Sequence, residues 1–138
     1  MAAGEDARVD VLVVGSGGAG MSAAVAARDA GASVIVATKS ALGASNTGRA
    51  QGGIQAAVGE GDSPEQHFAD TFAAGHEKAR PELVRGLVES GPEAIAWLAR
   101  LGVGFSQEDG RLRVIRCGGA SRPRLLQAGE RTGAEMVR

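Results

Sequence analysis

Three glycines, Gly15, Gly17 and Gly20, punctuate the segment VDVLVVGSGGAGMSAA, and their spacing suits the holding of a diphosphate. The run before them, Val9 to Val14, is β-branched and apolar, and the run after them is rich in alanine, so the glycines stand where a strand hands over to a helix. In that context Gly15 permits the tight turn, Gly17 lets backbone approach a pyrophosphate, and Gly20 lets helix and strand pack closely. Ser16, Gly18 and Ala19 fill the positions between, and an anion would rest on the N–H groups that open the helix.

The acidic residue that usually ends the second strand of such a unit, where it accepts hydrogen bonds from ribose hydroxyls, is missing. Thr38 and Lys39 stand there instead, which weakens an ordinary nicotinamide dinucleotide reading. The next segment, KSALGASNTGRAQGGIQAA, carries the hydroxyls of Ser40, Ser45 and Thr47, the amides of Asn46 and Gln51, and the pair Gly52 and Gly53. It suits a second, flat and polar half of a cofactor.

The remaining reactive side chains offer less. Cys117 is the single cysteine, with nothing basic and titratable beside it, and reads as a small buried apolar residue rather than a nucleophile. His67 and His76 are expected on opposite faces of one helix, both at the surface, so a shared metal site is not expected. Seven arginines follow residue 110 against only Glu130 and Glu135, whereas the first 110 residues hold eight basic and fourteen acidic groups. The arginine block fits either a solvated face or the neighbourhood of an anion.

These residues need elements to position them. Val9 to Val14 reads as a strand buried on both faces, Gly18 to Ala30 as a helix, and Ser33 to Ala37 as a second strand parallel to the first. Lys39 to Gly61 holds six glycines and reads as a long functional loop with one helical turn in its middle. Ser63-Pro64-Glu65-Gln66 opens a helix that runs to about Lys78, and Pro81 and Pro92 open two more, ending near Ser90 and Leu101. Trp97, with Ala94, Leu98 and Leu101, is expected to anchor the core. Glu108-Asp109-Gly110 joins Val103–Ser106 to Leu112–Arg116 as a hairpin closed by Gly118 and Gly119, and a last helix starts near Thr132.

Composition excludes whole classes. With 138 residues, 43% of them apolar, the chain has room for one globular domain. Four aromatic residues are too few for a base-stacking nucleic-acid platform. The single cysteine excludes an internal disulfide framework and fits a reducing, cytoplasmic setting. The longest uncharged run, Val11 to Ala27, contains four glycines and two serines and reads neither as a membrane span nor as a signal peptide.

In order along the chain, GSGGAGMSAA, the Thr38-Lys39 pair, ASNTGRAQGG and CGGASRPRLLQAGERTG resemble the FAD phosphate loop, the Ser-Lys pair, the flavin loop and the Gly-Gly-x-Ser and Asp-Arg-Thr-Gly segments of one family. That family comprises the flavoprotein subunits of fumarate reductase and succinate dehydrogenase, together with L-aspartate oxidase. Glu130 takes the Asp position, and Cys117 and Ala120 depart from larger family residues near the substrate. The resemblance implies an α/β, Rossmann-like FAD-binding domain, with a β-α-β start, a long flavin loop, helices and a small hairpin, incomplete as given. Residues 1–138 would be its N-terminal part, with the substrate-capping and C-terminal parts absent.

The resemblance also assigns roles. Gly15, Ser16, Gly17, Gly18, Ala19 and Gly20 would bind the FAD pyrophosphate, Thr38 and Lys39 the adenosine end, and Ser45, Asn46, Thr47, Gln51, Gly52 and Gly53 the ribityl chain and isoalloxazine. Respiratory members carry, at the position of Asn46, a histidine bonded covalently to the flavin, so FAD is expected here without that bond. The implied activity is hydride transfer between a dicarboxylate and flavin N5, in the manner of fumarate reductase or succinate dehydrogenase, with L-aspartate oxidase as the alternative. Catalytic residues would lie beyond residue 138, and strands buried on both faces would need further strands and a covering layer, so the segment alone is expected to be catalytically silent and poorly stable. An iron-sulfur or haem electron-transfer partner is implied by analogy and would be the route to any membrane association. A non-redox nucleotide-binding module is the alternative of another class, and the segment Ser45 to Gly53 speaks against it.

Overall fold

The structure is a computed structural model that describes residues 8–138. It opens with β1 (Val11–Val14), α1 (Gly18–Asp29) and β2 (Val34–Ala37). The two strands pair in parallel, Val11 with Val34 through Val14 with Ala37. Helix α1 lies on one face, where Val13 and Ala24 are buried. The close contact depends on Gly20, since a Cβ there would run into the Gly15 carbonyl oxygen and touch Val13 at 3.4 Å.

The other face is bare. Leu12 is 60% exposed and Val14 81%, which corrects the expectation of strands buried on both faces. The apolar pattern is that of a two-sided central strand, but among the described residues nothing packs on the side away from α1.

The long loop contains the expected helical turn, α2 (Asn46–Arg49), and also a strand that its composition does not announce, β3 (Ile54–Gln55). It pairs antiparallel with β6 (Leu125–Leu126), Ile54 opposite Leu126. Helix α3 (Pro64–Ala74) begins as its sequence requires, with the Ser63 hydroxyl accepting from the Gln66 N–H at 3.2 Å. It stops short of Lys78 because the N–H groups of His76 and Glu77 fold back onto the carbonyls of Ala73 and Phe72, a closure that ends a helix in left-handed backbone.

Helix α4 runs unbroken from Pro81 to Arg100 with Pro92 inside it, so the two helices expected there are one. A proline inside a helix costs about 3 kcal/mol. Val84 and Val88 before it and Ile95 and Leu98 after it are all buried, each contributing roughly 1.5–3 kcal/mol. Burial on both sides of the proline outweighs the lost hydrogen bond.

Ala56, Ile95, Leu98, Val103, Phe105, Leu126 and Ala128 form the core, with Trp97 only partly buried against it and Leu101 half exposed. The anchor is therefore Ile95 and Leu98 rather than Trp97. The hairpin, β4 (Gln107–Glu108) and β5 (Arg111–Leu112), pairs antiparallel. Its turn places Asp109 at φ 52° and Gly110 at φ 76°, the two positive values that a tight hairpin turn matching the strand twist requires. Strand pairing is confined to these few residues, and Val103 and Phe105 enter the core as irregular backbone. The last helix, α5 (Thr132–Met136), starts where expected.

One buried polar cluster ties distant segments together. Arg124 is fully buried and donates to both carboxylate oxygens of Asp62 at 3.0 and 2.8 Å, while its Nη1 lies 3.0 Å from Asp70. Asp70 also accepts from the N–H and hydroxyl of Ser121, each at 2.8 Å. His67 completes the cluster at 6% exposure, correcting the expectation that it lies on the surface: it faces inward from α3 toward Arg124, while exposed His76 falls beyond the helix end. The arginine block is thus not a uniform solvated face, because Arg124 is an internal cation and Arg116 donates to the carbonyls of Ala120 and Ser121. Cys117 is half-buried rather than buried.

Candidate functional site

The C-terminal ends of β1 and β2 are joined by the Gly15 N–H donating to the Ala37 carbonyl at 2.8 Å. Just beyond, the hydroxyls of Ser16 and Thr38 share a hydrogen bond at 3.0 Å, with Ser16 only 4% exposed. The glycine loop and the end of β2 are therefore latched side by side. Gly17 is the N-cap of α1 in extended backbone and has no side chain of its own to cap the helix. A bulkier residue would crowd this mouth, whereas glycine leaves backbone N–H groups and the helix dipole open to an anion.

The third wall comes from α2. The Ser45 hydroxyl accepts from the Gly48 N–H at 3.2 Å and starts this short helix. Thr47 reaches α1, its Oγ1 accepting from the Gly18 N–H at 3.0 Å. Behind α2 sits α5: the Gly133 N–H donates to the Ala50 carbonyl at 3.0 Å, and a Cβ at Gly133 would strike the Thr47 carbonyl oxygen. The segment resembling the Asp-Arg-Thr-Gly helix start thus serves as the buttress of the loop.

These walls enclose an open cavity of about 610 Å³, within the roughly 300–1,000 Å³ of small-molecule sites. Gly15, Ser16 and Gly17 line it from one side, Thr38 and Lys39 from a second, Ser45 and Asn46 from a third. Of the other expected residues, Gly18, Ala19 and Gly20 form the first turn of α1 behind the loop, and Thr47 braces that turn. Gln51, Gly52 and Gly53 lie outside this cavity. Gly52 instead accepts from the Gln127 side chain at 2.9 Å, and Gly53 presses on the Leu126 carbonyl as the chain enters β3.

Sequence reasoning missed Arg49, which lines the cavity from the last turn of α2. Its position among small and polar residues gave no periodic signal. With Lys39 it makes two cations in a lining that contains no carboxylate. The donor set of backbone N–H groups, hydroxyls and cations fits a diphosphate. Among the described residues no group of three His, Cys, Asp or Glu side chains could hold a metal ion, and no helix is long and apolar enough to cross a membrane.

The family model described as "FAD binding domain" matches residues 10–138. The chain belongs to this family. Its cofactor is FAD, and family members are FAD-dependent oxidoreductases. The chain is 46% identical over 131 residues to an L-aspartate oxidase of Streptomyces coelicolor, covering 94% of this chain and 23% of that protein. It is 45% identical over 101 residues to an NADH:fumarate oxidoreductase of Klebsiella pneumoniae, covering 68% of this chain and 11% of that protein. Among solved structures, the Mycobacterium smegmatis Sdh1 complex in the apo form matches with a TM-score of 0.88 and 36% identity over 94% of this chain and 23% of that one. The chain thus spans less than a quarter of the length of these relatives.

Proposed function

We propose that this chain is the N-terminal, FAD-binding part of a flavoprotein that oxidises or reduces a four-carbon dicarboxylate, with L-aspartate as its substrate. The observation that carries the reading is the cationic, carboxylate-free cavity at the ends of β1 and β2 in a chain of the FAD binding domain family. Gly15 to Gly20 would hold the diphosphate on the helix N-terminus, and Thr38 and Lys39 the adenosine end. Ser45, Asn46, Thr47, Gln51, Gly52 and Gly53 would follow the ribityl chain toward the ring. When bound, FAD supplies a two-electron acceptor at N5, and this chain's part is to bind and orient it. Asn46 offers no imidazole for a covalent bond, so the flavin would be held non-covalently.

L-Aspartate is favoured by the 46% identity to the Streptomyces coelicolor enzyme over nearly the whole chain. Fumarate and succinate form the second reading, favoured by the likeness to the Sdh1 complex. In that case an iron-sulfur or haem partner would carry the electrons, as the family resemblance implies; the one cysteine of these 138 residues cannot itself hold a cluster. A cytoplasmic protein that meets a membrane only through such partners completes the proposal. The test is to mix the FAD-loaded protein, expressed from its full coding sequence, with L-aspartate or succinate in the absence of air. Loss of flavin absorbance with L-aspartate is expected. Loss with succinate alone transfers the assignment to the second reading, and no response to either, with no re-oxidation by fumarate, overturns both.

A further inference from the structure

We infer that Arg49 is a phosphate-binding cation of the cavity, acting on the diphosphate of FAD while Lys39 serves the adenosine end. The inference rests on the FAD reading above and adds to it a residue of this chain that the glycine-loop pattern does not include. Arg49 has the two properties such a role needs, a fixed base and a free head.

The base is fixed because α2 is held at both ends. Ser45 caps its start through the Gly48 N–H, Thr47 ties it to the first turn of α1, and Gly133 of α5 binds the carbonyl of Ala50, the next residue. A helix of only four residues would otherwise be marginal on its own. The head is free because the side chain is exposed to the cavity and, among the described residues, makes no ion pair. Arg80, Arg85, Arg111, Arg124 and Arg138 each lie within ion-pair distance of a carboxylate. Lys39 is likewise without one among the described residues, so two like charges line one cavity with no acidic residue in its wall. An anionic occupant relieves that repulsion, and a guanidinium can grip two phosphate oxygens at once where an ammonium offers a point charge.

The test uses the flavin-free protein, expressed from its full coding sequence, and flavin fluorescence to follow binding. Arg49→Gln is expected to weaken FAD about tenfold at low salt, the loss of roughly one charge-assisted contact. The gap should narrow as salt rises, because the contact is exposed to solvent. ADP should lose affinity by the same factor, riboflavin, which has no phosphate, should lose none, and Arg49→Lys should recover part of the loss. Equal FAD affinity in Arg49→Gln and the unaltered protein overturns the inference, as does an equal loss for riboflavin, which would mark Arg49 as merely shaping the loop. Unaltered protein that binds no FAD overturns the cofactor reading itself, so the two failures are distinguishable.

Discussion

Replacing Arg124 by methionine tests whether the buried charge cluster holds the site-bearing loops in register. Arg124 is fully buried and the Asp62 side chain is 1% exposed, so the substitution leaves a carboxylate with neither water nor counter-ion. Breaking a buried pair by removing one partner costs about 3–5 kcal/mol. Against the roughly 5–15 kcal/mol that holds a typical domain folded, that is a large fraction. The damage should also travel, since the Arg124 carbonyl accepts from the Ala56 N–H at 3.0 Å and the next residues pair with Ile54 and Gln55. Urea unfolding of the FAD-free protein gives the cost directly. The decisive comparison is Arg124→Met with Asp62→Asn and Asp70→Asn added. Neutralising the stranded carboxylates should make the triple variant more stable than Arg124→Met alone. Additive losses, or a single-variant cost under about 1 kcal/mol, would refute the reasoning, because that is the range of an exposed pair.

Other outcomes follow from the same geometry. Gly17→Ala should leave the unfolding midpoint almost unchanged, since the nearest atoms to a new Cβ are 3.8 and 3.9 Å away, while weakening FAD by filling the approach to the diphosphate. Gly20→Ala should lower stability by roughly 1–3 kcal/mol through the clash with the Gly15 carbonyl, and thermal unfolding separates the two variants. For His67, burial above all and then the Arg124 charge hold the imidazole below its ordinary 6.5, against the opposing pull of Asp62 and Asp70. The unfolded chain therefore binds the proton more readily, and His67 contributes stability above pH 6.5 that is lost as the pH falls toward its lowered native value. His67→Gln should flatten the fall in unfolding free energy just below pH 6.5, and an unchanged slope would show that another group sets it.

Much of the phosphate-binding half was legible because its signals are local. The strand, the glycines of the turn and the alanine-rich helix lie within twenty residues, and Ser63 caps its helix through a residue three positions on. The rest depended on partners far apart in sequence. Nothing near His67 marks it as buried, because its cover comes from Arg124, and the two-residue strands β3 and β6 are too short to show an alternation. Pro92 read as a helix start because that rule is local, whereas the burial that carries α4 through it is not. Arg49 is a similar case: only the docking of α2 on α1 and α5 turns it into the wall of the cavity.

The most direct test of the account is the absorbance spectrum of the protein purified from its full coding sequence, taken before and after acid precipitation. Flavin bands in the native protein and free FAD in the acid supernatant are expected, in keeping with the glycine-loop cavity and with Asn46. Flavin that stays in the pellet would contradict the non-covalent assignment, and a folded protein that neither carries FAD nor takes it up from solution would contradict the cofactor site altogether.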